Sequence, residues 1–153
     1  MTTYTAVGKP ITRQEGPDKV SGNFQYAADV SLPGMIWGKV LRSPYPHAKI
    51  VKIDISRASQ LPGVHAIITG EDTKGMRVGR LIRDVPLLAE DRVRFVGEKV
   101  AAVAAIDADT AEEAIGLIDV EYEPLPAIFD PVEAITPGSP LVHEGSPSFQ
   151  AGS

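Results

Sequence analysis

Val100-Ala-Ala-Val-Ala-Ala-Ile106 is followed, after three intervening residues, by Thr110-Ala-Glu-Glu113 and then by Ala114, Ile115 and Ile118. The first stretch is a run of seven apolar residues, short enough for a central strand covered on both faces. A buried helical turn is the other way to place it. The second stretch is a capping-box pattern, with the Thr110 oxygen set to accept from the Glu113 amide and the Glu113 carboxylate set to reach back. Ala111, Ala114, Ile115 and Ile118 then share one helical face, and the early acids Glu112 and Glu113 suit the positive end of the helix dipole. A strand followed at once by an amphipathic helix predicts a helix folded back over a sheet.

The pattern extends outward from this unit. Upstream, Arg92-Val-Arg-Phe-Val96 alternates, and Gly97-Glu98 predicts a hairpin turn into the apolar run. Downstream, Val120 and Tyr122 alternate with Glu121 and Glu123 until Pro124 and Pro126 stop the strand. Glu121 and Glu123 therefore point to one face, toward solvent. Met35 to Arg42 reads as a strand broken by Ser43-Pro44-Tyr45-Pro46. Val51, Ile53 and Ile55 alternate with Lys52 and Asp54, which predicts one buried and one wet face. Ser56 is placed to cap a short helix over Arg57 to Gln60, ended by Pro62-Gly63, and Val64 to Thr69 reads as another strand. Residues 70–90 are the least regular stretch. Residues 1–23 read as an extended N-terminal arm, 24–134 as the core, and 135–153 as a Pro/Gly/Ser-rich tail. The order predicts an α+β fold, a mixed or antiparallel sheet covered by one main helix and a short one, and not a doubly wound dinucleotide fold.

With 153 residues, 43% hydrophobic and 23% charged, the chain has the composition of a globular domain large enough for one core. It has no cysteine, which removes disulfides, thiolate zinc sites and cysteine-ligated iron–sulfur clusters from this chain. The net charge of −5 counts against nucleic-acid binding. Residues 1–100 hold all 15 Lys and Arg against 10 Asp and Glu, whereas residues 101–153 hold 10 acids and no Lys or Arg. Either the two halves interleave on one surface or an acidic face meets a basic partner. No stretch reaches the roughly 18 apolar residues of a membrane helix, and Met1 to Pro10 lacks a signal-peptide run. A cytoplasmic protein is expected.

Nucleotide-loop, nucleophile-elbow, zinc-protease and EF-hand motifs are absent. His47, His65 and His143 match no local metal spacing. Glu98, at the mouth of the apolar run, is either a partly desolvated carboxylate or a turn acid. The loop carrying Lys74, Arg77, Arg80 and Arg83 can grip a phosphate or an acidic partner, or can simply be solvated. These four residues with Gly97 and Glu98 form the candidate interface; no catalytic or metal residue is assigned. Met35, Ile36 and Trp37 and the apolar part of the 76–88 loop are candidates for surface that a neighbour covers.

Several phrases in order carry a resemblance. They are Arg13-Gln-Glu-Gly-Pro-Asp-Lys-Val-Ser-Gly22, Tyr26-Ala-Ala-Asp29, Gly38-Lys-Val-Leu-Arg-Ser-Pro44, Pro46-His-Ala-Lys-Ile50 and Leu61-Pro-Gly-Val-His-Ala66. Leu88-Ala-Glu-Asp-Arg-Val-Arg-Phe-Val-Gly-Glu98, Val100-Ala-Ala-Val103, Thr110-Ala-Glu-Glu-Ala114 and Val120-Glu-Tyr-Glu-Pro-Leu-Pro-Ala127 complete the set. Together they resemble the N-terminal α/β hammerhead domain of the xanthine dehydrogenase and aldehyde oxidase family, from about residue 8 to about residue 145. Lys99 departs from it, since relatives often carry proline after Gly-Glu. The resemblance implies a domain of a molybdenum hydroxylase that oxidises aldehydes or N-heterocycles with oxygen from water. Molybdopterin, iron–sulfur clusters and FAD are implied for the assembled enzyme, none of them bound by this chain alone. The implied partners are the remaining molybdenum-subunit domains, an iron–sulfur subunit and commonly a flavin subunit. The family's catalytic glutamate lies in later domains, so no catalytic residue is carried over. A stand-alone scaffold or interaction protein that kept the fold and lost the chemistry is the alternative.

Overall fold

In the computed structural model, which describes residues 6–80 and 83–142, the apolar run is the middle strand of a three-stranded antiparallel sheet. In chain order the elements are α1 (Gly16–Ser21), a 3-10 turn (Ala27–Asp29), β1 (Trp37–Arg42), β2 (Ala48–Asp54), α2 (Ser56–Ser59) and β3 (Val64–Thr69). Then come β4 (Arg77–Val78), β5 (Val85–Pro86), β6 (Arg92–Val93), β7 (Lys99–Ala105), α3 (Ala108–Gly116), β8 (Asp119–Pro124) and α4 (Pro131–Ala134). One sheet has the order β1-β7-β3, a second has β6-β2-β8, and β4-β5 form a small ladder. The fold is α+β with antiparallel sheets, as the sequence predicts.

Contacts divide the chain into Met1–Met35 and Ile36–Ser153. In the first unit the expected extended arm is helical over Gly16–Ser21. A proline in its first turn, an early Asp18 and the left-handed Gly22 that ends it supply the start and stop signals. Lys19 sits 4.7 Å from the Phe24 ring centroid, and Phe24 meets Tyr26 edge-on at 4.9 Å.

In the second unit, α3 lies over the sheet face that carries Ala101, Val103 and Ala105. Buried Ala111 and Ala114 of α3 let helix and sheet approach closely, and Ala58, Ile118 and Leu41 close this core. The helix starts earlier than the capping-box pattern predicts. Asp107 is the cap, accepting from the Thr110 amide at 2.7 Å, so the first free donors of the helix lie one turn before those that Thr110 would have capped. Asp54 likewise takes the Ser56 amide at 3.0 Å, which makes Ser56 the first residue of α2 rather than its cap.

Two register findings correct the sequence reading. Arg92–Val93 pairs with β2, so Gly97-Glu98 is not a hairpin between residues 92–96 and β7. The flanking strands β1 and β3 occupy both edges of β7, which leaves no edge for β6. In β2 the pairing passes from Ile50 opposite Tyr122 to Lys52 opposite Glu121. Val51 is the bulged, exposed residue, and inward positions shift to Ile50 and Ile53.

Gly70 fastens the end of β3 to the second core. An added Cβ there would lie 2.1 Å from the Ala89 carbonyl oxygen, and Ala89 packs with Ala48, Val93 and Val100. No described helix is long and apolar enough to cross a membrane.

Candidate interaction surface

The register assigns each residue of the β1-β7-β3 sheet to a face. Leu41 and Lys39 of β1, Ala101, Val103 and Ala105 of β7 and Ile67 of β3 face α3. Lys39 reaches Glu112 of that helix at 2.7 Å. The opposite face carries two rows across the strands. One is Gly38, Ala104 and Ala66; the other is Val40, Ala102 and Ile68. Val40 is 37% exposed and Ile68 41% exposed, and none of the six side chains is polar. Ile36 and Ile106, just beyond the Trp37–Ala105 pair, are also half exposed. The expectation of a central strand covered on both faces therefore holds for its two edges and for the helix face. The far face is bare. Sequence reading placed Ile36 and Trp37 near a covered surface but missed this face. Its signal was the lack of polar alternation in Ala66-Ile67-Ile68.

The candidate residues fall into two groups. Gly97 and Glu98 sit beside β1 and β7. Arg42 donates from Nη1 to the Gly97 carbonyl at 2.9 Å, and the Gly97 amide donates to the Ser43 carbonyl at 2.8 Å. Glu98, 3% exposed, accepts the Arg94 amide and has the Arg94 guanidinium at 3.7 Å. A buried carboxylate with these partners is a latch on the 94–98 loop. Of the two readings open in the sequence, the burial of Glu98 supports the desolvated carboxylate, and the hairpin that would make it a turn acid does not form.

Lys74 and Arg77 belong to the β4-β5 region. Arg77 makes a two-pronged pair with Glu90, its Nη2 at 3.1 Å from Oε2, and the Gly75 amide donates to the same carboxylate at 2.8 Å. The Arg77 guanidinium and the Gly75 amide hold the Glu90 carboxyl below the usual carboxylate range. Arg77 is thus engaged inside the fold. Lys74, Arg80 and Arg83 are exposed, and residues 81–82 between the last two lie outside the described ones.

A groove of about 340 Å³ lies between the 94–96 loop and the segment after β8, lined by Phe95, Val96, Ile128, Phe129, Leu141 and Val142 with His47 and Arg94. His47 Nδ1 donates to the Pro126 carbonyl at 2.7 Å, which places the proton on that nitrogen. Arg94 donates to the Val142 and Arg92 carbonyls at 3.1 Å each and lies 3.6 Å from Asp91. A molybdopterin requires donors for its phosphate and its pterin edge. Here the two cationic or ring donors are already engaged and the remaining lining is apolar. The groove does not fit that group, and no step of its chemistry is assigned to this chain. Among the described residues no three His, Asp or Glu side chains come together to hold a metal ion. His143 lies outside the described residues.

Comparisons with known proteins agree with this geometry. The family model described as aldehyde oxidase and xanthine dehydrogenase, a/b hammerhead domain, matches residues 21–126. A probable xanthine dehydrogenase subunit of Bacillus subtilis (strain 168) is 46% identical over 140 residues, covering 90% of this chain and 19% of that protein. The nicotinate dehydrogenase large molybdopterin subunit of Eubacterium barkeri is 39% identical, covering 92% of this chain and 33% of that protein. Among solved structures, the Cu,Mo-CO dehydrogenase matches with a TM-score of 0.81 and 40% identity over 88% of this chain and 17% of its own. The aldehyde oxidoreductase from Desulfovibrio gigas matches with a TM-score of 0.79 and 31% identity over 88% of this chain and 16% of its own. The chain spans a third or less of the length of each of these relatives. It belongs to the aldehyde oxidase and xanthine dehydrogenase hammerhead family.

Proposed function

We propose that this member of the family is the hammerhead domain of the molybdenum-binding subunit of a hydroxylase, and that it serves assembly rather than chemistry. The enzyme it completes oxidises an aldehyde or an N-heterocycle with oxygen from water. Molybdopterin sits in the remaining part of the subunit, and electrons leave through an iron–sulfur subunit and, in turn, FAD. The assembled enzyme works in the cytoplasm.

The bare, uncharged face of the β1-β7-β3 sheet carries this reading. A domain that worked alone would spend solubility on that face for no return, whereas a domain set into a larger subunit has it covered. Elsewhere in this unit charged side chains are paired internally. Glu98 and Arg94 latch one loop, and Arg77 and Glu90 latch another, so neither pair is free to act on a substrate. Lys74, Arg80, Arg83 and the turn at Gly97 are the polar margin offered to neighbouring parts of the assembly.

The test is reconstitution. The chain is produced with and without the remaining molybdenum subunit and the iron–sulfur subunit, and molybdenum content and aldehyde or purine oxidation are measured. We expect no turnover from the chain alone and an active complex when it is present. A fully active complex without this chain, or turnover by the chain alone, would refute the proposal.

A further inference from the structure

We infer that residues 127–142 form a strap that opens separately from the two sheets, and that the Arg94 side chain is the clasp that keeps it shut along the groove.

The strap is tied to the rest of the unit at its two ends. At its start the Leu125 amide donates to the His47 carbonyl at 2.9 Å, and His47 Nδ1 donates to the Pro126 carbonyl at 2.7 Å. At its far end Arg94 Nε donates to the Val142 carbonyl at 3.1 Å. Between these ends, among the described residues, the hydrogen bonds stay inside the strap. Asp130 caps α4 by accepting the Val132 amide at 2.7 Å, the Thr136 hydroxyl donates to the Val132 carbonyl, and the Ser139 hydroxyl donates to the Glu133 carbonyl. Burial adds little to hold it down. Helix α4 buries no residue, and Phe129, Ile135 and Leu141 are all more than two-thirds exposed. In β7, by contrast, Val100, Ala101 and Ala105 are fully buried. A segment with so few buried apolar contacts opens at a much smaller free-energy cost than the sheets do.

The two ties differ in strength of support. The first continues the β2-β8 ladder, whose last pair is Ala48 with Pro124, so the start of the strap is held by a sheet. The second rests on one side chain, and that side chain is set in advance. Glu98 accepts the Arg94 amide and lies 3.7 Å from Nη1. Nη1 also donates to the Arg92 carbonyl at 3.1 Å, and Nη2 lies 3.6 Å from Asp91. All of these partners belong to the 91–98 loop. They fix the plane of the guanidinium and leave Nε–H aimed across at Val142. Lysine keeps the charge near Asp91 and Glu98 but has no donor at the Nε position. Release therefore starts at the Val142 end. The groove changes with it, because Phe95 and Val96 line it from the loop that carries the clasp, and Leu141 and Val142 line it from the strap. Its volume of about 340 Å³ belongs to the closed strap.

The test is proteolysis of the full folded chain with thermolysin, the sites of cleavage read by mass spectrometry. In the parent chain, cleavage between residues 128 and 141 should proceed at a rate that low urea leaves unchanged, whereas cleavage within β7 should rise with urea as global unfolding does. Arg94→Lys should speed cleavage within the strap about tenfold or more, and cleavage within β7 far less, since one hydrogen bond to a charged group is lost. Val103→Ala, which weakens the core without touching the clasp, should speed cleavage within β7 and leave the strap at the parent rate. Equal strap cleavage in the parent and Arg94→Lys overturns the inference. So does strap cleavage that rises in step with β7 cleavage in either variant, because the strap then opens only when the whole unit unfolds. An Arg94→Lys chain that does not fold also overturns it, since Arg94 would then hold the sheets rather than the strap. Each of these results leaves the assembly role standing.

Discussion

The β6-β2-β8 sheet and the β1-β7-β3 sheet share strand number and antiparallel pairing, yet they treat their outer faces in opposite ways. The first puts Ala48, Ile50, Val93 and Tyr122 inward and a charged ladder outward, with Lys49 opposite Glu123 and Lys52 opposite Glu121. Lys52 also meets Asp54 at 3.0 Å. The second puts Ala101 and Val103 inward and Gly38, Val40, Ala66, Ile68, Ala102 and Ala104 outward. A ladder of exposed opposite charges adds little stability, but it keeps a sheet face wet and unpaired. The apolar face lacks that protection. One sheet meets solvent with charge, and the other presents an apolar, partly exposed face.

The largest effect on the folded chain should come from the point where the two sheets are fastened. Gly70→Ala forces a Cβ into the Ala89 carbonyl, and a clash with backbone has nowhere to relax. We expect a loss of roughly 3 kcal/mol or more in urea denaturation. Glu98→Gln weakens the Glu98–Arg94 latch on the 94–98 loop. A loss of about 2 kcal/mol is expected, with the midpoint shifted and the slope of the transition kept. Val103→Ala, on the helix face of β7, should cost about 1–2 kcal/mol, and Val100→Ala in the other cluster a similar amount. A much smaller cost at Val103 would mean that the helix side of the first sheet is loosely packed, which would weaken the contrast between its faces.

Acid titration gives a smaller effect with a definite sign. Asp107 accepts the Thr110 amide and hydroxyl and Asp72 accepts those of Thr69, and these bonds hold both carboxyls below the ordinary 3.8 of aspartate. The stability they supply is present above about pH 3.8 and is lost as the pH falls through their lowered folded values. Asp107→Ala should lower the melting temperature at pH 7, with the difference from the parent chain shrinking below that window. An undiminished difference at low pH would show that the cap acts through packing rather than charge. The smallest effects belong to the outer faces in the isolated chain. Ile68→Lys and Glu121→Leu should each change stability by no more than about 0.5 kcal/mol.

Much of this architecture was legible in the sequence, and the gaps have physical causes. Strand β3 matches the predicted Val64–Thr69, and the order of strands and helices follows from apolar periodicity. The helix start was misplaced because Asp107 and Thr110 are both good caps one turn apart, and pattern alone does not rank them. The bulge at Val51 was hidden because it replaces one alternation with another of the same composition. The false hairpin at Gly97-Glu98 arose from local turn chemistry, while partner choice for β6 was decided by edges already filled in β7. The apolar outer face lies across three strands distant in sequence, and its residues are ordinary one by one. The missing polar alternation at Ala66-Ile67-Ile68 in β3 was the readable trace. The partners of Glu98 and Arg77 needed the folded chain, since Glu90 lies 13 residues from Arg77.

The contrast between the two sheets is tested most directly by exchanging their outer-face chemistry and weighing what assembles. Ile68→Lys and Glu121→Leu are each combined with the remaining molybdenum subunit, and the molybdenum retained per recovered complex is measured. Ile68→Lys should lose most of the complex and its metal while the chain itself stays folded, and Glu121→Leu should match the parent. Equal retention by both variants would contradict the claim that the β1-β7-β3 sheet is built to be covered.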